Sequence, residues 1–339
     1  MAERRDFLAA LTGAALLPAG LRAQTGASAQ GGGVARRTPN HPLTFDAMGE
    51  LRPEYDRALI ADMLASGLNA IAITLCDPKP VGDEALALAF DSLLTHERWL
   101  GERADQILKA RRVADIDRAR AAGKLAVFYL FQNTAPFGRS LDRIDAFHRL
   151  GLSSCQLTYN TRNEVGVGCW EEGGLTAFGH EVIGRMNGLR MLVDLSHANM
   201  QTMREAALAS KAPVIVSHTA CQAVHANRRN TTDEVMRAVA DRGGVIGICQ
   251  MRPFLTEKKT DNLGAYFDHI LHAIRVSGID HVAIGSDRDH RVITLSPDYI
   301  AELKREEGAQ VVDNELPYFI DALNGPRRME VVRRGLGER

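Results

Sequence analysis

From Leu43 onward, short apolar runs alternate with segments whose apolar positions recur every three or four residues. The runs Leu43–Asp46, Leu68–Leu75, Lys124–Phe131, Ser153–Thr158, Arg190–Leu195, Pro213–Ser217, Gly244–Cys249 and His281–Ser286 predict eight strands. Several are apolar almost throughout, as suits strands covered on both faces of a parallel sheet. Helical spacing lies between them, at Glu54–Ser66, Gly174–Asn187, Met200–Ser210, Thr232–Asp241 and Leu263–Val276. Eight strand–helix repeats with no internal linker over residues 41–339 predict one (β/α)₈ barrel of the TIM type. The stretch Lys79–Gly123 is too long for one helix and is expected to be a helical insertion at the barrel mouth.

Composition narrows the classes. The 339 residues carry 41 Lys+Arg against 42 Asp+Glu, and 45% are hydrophobic, which excludes wholesale disorder and gives no basic balance for nucleic acid. No apolar run is long enough to cross a bilayer as a helix. At the amino terminus, Arg4-Arg5 precede Phe7-Leu8 and a weakly apolar stretch to Leu17. That pattern resembles a twin-arginine export signal, so residues 1–29 are expected to be a leader, residues 30–40 a linker, and the protein periplasmic. The five cysteines form no CxxC pair, which argues against a cysteine zinc site; Cys155 and Cys249 sit in apolar runs and read as core.

In a barrel of this kind the chemistry gathers at the carboxyl ends of the strands. Those ends carry Met48 and Glu50, Asp77, Gln132, Tyr159 with Asn160, His197, His218, Gln250, and Asp287 with Asp289. His197 and His218 each directly follow an apolar strand, 21 residues apart, about one βαβ step. Their imidazoles are therefore expected on neighbouring strands facing one cavity, as half of a zinc site.

Together with Gly173-Gly174-Leu175-Thr176, Met186-Asn187, Asp194–His197, Pro213–His218, Arg229-Asn230, Gly243–Gly247 and Ile284–Asp287, these residues resemble the membrane (renal) dipeptidase family, the M19 metallopeptidases. The resemblance covers about residues 43 to 325. It implies an amidohydrolase-like (β/α)₈ barrel that hydrolyses dipeptides or related amides with two zinc ions. By position it implies that His197 and His218 hold one zinc and that Arg229, with Asn230 beside it, binds the substrate carboxylate. Asp287 is then the group that moves the proton.

The same resemblance exposes departures. Met48 and Glu50 stand where the family has His-x-Asp for the other zinc, and Gln132 stands where a glutamate bridges the two metals. Tyr159 replaces the histidine that polarises the scissile carbonyl, and a phenol can still donate to a developing oxyanion. Thioether sulfur is a poor zinc ligand beside imidazole. The expectation is a hydrolase holding at most one zinc per chain, on His197 and His218 and completed by Asp287, Glu50 or water, acting on a small substrate with a free carboxylate, and pairing as a homodimer as such barrels often do. A metal-free isomerase or lyase and a non-catalytic binding protein are the alternatives.

Overall fold

The computed structural model describes residues 43–258, 262–294, 296–307 and 318–338. The expected leader and linker lie outside these residues. Nine strands form one parallel sheet: β1 Phe45–Gly49, β2 Ala70–Thr74, β3 Ile107–Lys109, β4 Leu125–Phe131, β5 Leu152–Gln156, β6 Leu192–Asp194, β7 Val214–Thr219, β8 Val245–Ile248 and β9 Val282–Ile284. Eight of them close into a barrel, because β2 pairs with β4 over Ala70–Thr74 and β9 returns to β1 through Ile284 and Asp46. All eight predicted strands are present. The first runs further than its apolar residues suggested, to Gly49, with a register shift between Asp46 and Gly49.

Helices α1 Arg57–Ala65, α2 Gly82–Glu102, α3 Val113–Ala121, α4 Leu141–Leu150, α5 Ala177–Leu189, α6 Met200–Ala209, α7 Asp233–Asp241, α8 Arg252–Leu255, α9 Asn262–Ser277, α10 Pro297–Glu307 and α11 Arg328–Gly337 complete the described elements. Polar side chains fix where several begin: Asp56, Thr176, Asn199 and Thr232 each accept a backbone N–H of the first turn.

The expected insertion holds more than helices. It contributes α2, β3 and α3, and β3 pairs with the amino-terminal half of β4 at Leu125–Val127. Along the same strand, β5 pairs with Tyr129–Phe131, so the two strands divide β4 between them. No turn signal along this stretch is strong enough to reveal a three-residue strand between two helices.

Two apolar clusters follow from the alternation of side chains along buried strands. Ile71, Ile73, Val127, Val214, Val216, Ile246 and Ile248 pack outward against the helices. Phe45, Ala47, Ala70, Ala72, Phe128, Leu130, Ile215, Val245 and Ala283 fill the inside of the barrel, and Met48 belongs with them. All five cysteines are free thiols, with Cys155 and Cys249 in the core as expected.

Candidate active site

The ends of β6 and β7 bring His197 and His218 together. Their Nε2 atoms lie 2.9 Å apart, and both rings are buried. Two nitrogens bound to one tetrahedral zinc at ~2.0–2.1 Å would stand about 3.3 Å apart, so the pair is spaced close to that of two ligands. Burial, and after it the nearby Arg229 guanidinium, pushes both imidazoles well below their usual pKa, which keeps them neutral. The other ring nitrogens are tied down. His197 Nδ1 meets Asn160 Oδ1 at 2.7 Å, and an amide oxygen only accepts, so His197 carries its proton on Nδ1 and turns a lone pair toward His218. His218 Nδ1 meets the Ser217 hydroxyl at 2.9 Å.

Backbone strain gathers here too. Asn160, His197 and Asp287 have positive φ, at 50°, 65° and 56°. Among the described residues the other non-glycine residue of that kind, Arg190, merely closes helix α5. Left-handed backbone outside glycine persists where surrounding contacts hold it, often at functional sites. Here the backbone N–H of Cys169 donates to the His197 carbonyl, and that of Asp287 to the Met48 carbonyl.

Below the mouth, buried aspartates grip the residues before the candidate ones. Asp194 Oδ1 accepts the backbone N–H groups of Ser196 at 3.0 Å and Ser217 at 3.1 Å, the residues preceding the two histidines. Asp46 does the same for Ser286, before Asp287, through its N–H at 2.8 Å and its hydroxyl at 2.5 Å. Asp46, Asp194 and the serines were not singled out from the sequence as site residues. The signal was available in the charged residue that interrupts an otherwise apolar strand at each position.

The remaining candidates fall as follows. Tyr159 is half-buried and stacks on the His197 ring, centroids 4.1 Å apart. Arg229 is buried, its guanidinium 5.5 Å from the Phe254 ring, and its Nη1 has no hydrogen-bond partner among the described residues. Asp287 is half-buried at the end of β9. Asn230 differs from the expected substrate contact: its amide nitrogen donates to the carbonyls of His225 at 2.7 Å and Phe254 at 2.8 Å. It folds the loop that carries Arg229 and has no donor left for a ligand.

At the strand-one end the residues do not make a metal site. Met48 is packed in the barrel interior, Gln132 is a buried neutral amide, and Glu50 is held by Arg52 Nε at 2.5 Å. Among the described residues no group of three or more His, Cys, Asp or Glu is arranged to hold an ion. The imidazole end offers two donors that fit zinc; the strand-one end fits none.

The model of the membrane dipeptidase family (peptidase family M19) matches residues 58–305. An uncharacterized dipeptidase of Schizosaccharomyces pombe is 34% identical over 178 residues, covering 50% of this chain and 43% of its own length. The chain thus spans less than half of that relative. An amidohydrolase from Pseudomonas aeruginosa superposes with a TM-score of 0.75 at 27% identity, over 86% of this chain and 90% of that one. A Rhodobacter sphaeroides metallopeptidase, solved with a phosphinate mimic of L-Ala-D-Ala, shares the fold at TM-score 0.72 and 19% identity, over 87% of this chain and 92% of that one.

Proposed function

We propose, for a chain that belongs to the membrane dipeptidase family, hydrolysis of a dipeptide or related small amide bearing a free carboxylate, with at most one zinc ion, held by His197 and His218. The observation that carries this reading is the facing pair of neutral imidazoles with the buried, partly unpaired Arg229 guanidinium close enough to depress both. A zinc ion bound there would acidify a water to serve as nucleophile near neutral pH. The chain's own groups do the rest. Arg229 receives the substrate carboxylate through its guanidinium fork. Tyr159, fixed against His197, offers its phenol to the carbonyl oxygen as charge develops. Asp287, on its strained backbone, takes the proton from the nucleophile and returns it to the leaving amine.

A panel of dipeptides, each with its carboxyl-amidated counterpart, tests the reading alongside zinc counts on purified protein. Hydrolysis should require the free carboxylate and fall with removal of zinc. Turnover of amidated and free substrates alike would overturn the role of Arg229.

The neutralised strand-one end favours a second reading, a metal-free isomerase or lyase using Asp287 and Tyr159. Activity that survives exhaustive chelation would select it. Among the described residues no helix is long and apolar enough to cross a membrane. Export of the folded protein to the periplasm remains our reading of Arg4-Arg5. Replacing both with lysine should leave the protein in the cytoplasmic fraction.

A further inference from the structure

The strand-one end carries charge of its own. Glu50 and Asp289 are the ion-paired carboxylates there, and Arg52 and Arg291 are their cations. Arg52 Nε lies 2.5 Å from Glu50 Oε2 and 3.6 Å from Asp289 Oδ2, so one guanidinium lies between the two acids. Asp289 is otherwise fully occupied. Its Oδ1 accepts from the Tyr55 hydroxyl at 2.5 Å and the Arg291 N–H at 2.7 Å, and its Oδ2 accepts Arg291 Nε at 3.0 Å and Nη2 at 2.5 Å. A carboxylate has about four acceptor positions, and these bonds use them. At the end of the barrel where the family fold would place a second cation, Glu50 and Asp289 are therefore each engaged by a guanidinium, and Asp287, whose backbone N–H meets the Met48 carbonyl, is the further acid beside them.

We propose that Arg52 is the resident cation of the strand-one end and that it keeps a metal ion out of that position. The Met48 and Gln132 departures remove donors; Arg52 removes the charge deficit that would attract an ion. Restoring donors alone is then insufficient, because an incoming dication meets the Arg52 guanidinium anchored on Glu50, and like charges at such separations repel. This inference concerns the residues at the ends of β1 and β9 and holds whether or not the histidines bind zinc.

The test separates the two ends. In the full chain, His197→Ala and His218→Ala silence the imidazole end, and Met48→His with Gln132→Glu supplies donors at the other. Zinc titration by calorimetry and elemental counting compares this protein with one also carrying Arg52→Gln, and with one carrying Arg52→Lys. Zinc should be taken up only when the charge is gone: in the Gln variant and not in the Arg or Lys proteins. Uptake with Arg52 in place overturns the proposal, and so does an equal lack of uptake in all three. Should the multiple variant not fold, Met48→His in the otherwise wild-type chain is counted with and without Arg52→Gln. A further zinc in the Gln variant supports exclusion by Arg52, and equal counts overturn it.

Discussion

Single side chains divide the work at the mouth between holding and reacting. Asp287→Asn removes the proposed proton carrier while keeping the shape, so kcat should fall by ~10²–10⁴-fold with KM little changed. Arg229→Ala should chiefly raise KM, and only for substrates with a free carboxylate; steady-state kinetics on the two variants separates the roles. Asn160 acts one step back, by fixing the tautomer and tilt of His197 through a 2.7 Å bond. Removing such an outer partner typically weakens metal affinity ~10–100-fold. Asn160→Ala should show that loss in a chelator competition, whereas Asn160→Asp, which keeps an acceptor and tolerates the left-handed backbone, should retain near wild-type affinity. Asn230 stands as the contrasting case, its amide nitrogen spent on two loop carbonyls while its Oδ1 has no hydrogen-bond partner among the described residues.

At the scale of elements, the place of His218 depends on glycines in its neighbours. A Cβ added to Gly247 in β8 would come within 2.0 Å of the Ser217 carbonyl oxygen, and one added to Gly285, just past β9, within 1.8 Å of the same atom. Both clashes are with backbone, which cannot swing aside as a side chain can. These two glycines let β7 approach closely just before His218. Gly247→Ala should therefore cost about 1–3 kcal/mol or prevent folding, read as a lower urea midpoint. Helix α6 links the site to its frame in another way. Asn199 caps it by accepting the Thr202 N–H and donates its amide to the carbonyls of Glu171 and Gly173. One residue thus ties the loop after β5 to the element that follows His197.

For the molecule as a whole, closure of the barrel is sealed by a buried polar network on the outer side of β1 and β9. Asp46 and Arg328 are both fully buried, with Arg328 Nη2 3.8 Å from Asp46 Oδ2 and bonded to Ser286, the Arg288 carbonyl and His290. Burial raises Asp46 to about 6, against the opposing pull of Arg328 and the Ser286 bonds. A carboxyl raised on folding binds its proton more tightly in the native state. Its contribution to stability is greatest below its unfolded value near 4 and is lost as pH rises through about 6. Asp46→Asn should flatten that part of the stability profile, measured as denaturation midpoints between pH 4 and 7. It should also lower overall stability, since Arg328 loses its counter-charge. An unchanged slope across that range would remove Asp46 as its source.

The sequence by itself determined the barrel, because parallel strands covered on both faces write continuous apolar runs, and eight of them leave little choice of architecture. It also placed His197, His218 and Asp287 at strand ends, since each directly follows such a run. The short strand β3 escaped it: three residues between helices carry too little pattern, and their pairing with β4 is decided by a partner far along the chain. Sequence position alone left Glu50 as a candidate ligand and Asn230 as a substrate contact. Only the tertiary structure gave Glu50 to Arg52 and Asn230 to two loop carbonyls, because hydrogen bonds are allotted by distance in space. The grip of Asp46 and Asp194 on the serines before Asp287 and the two histidines was likewise settled only when neighbouring strands were laid side by side.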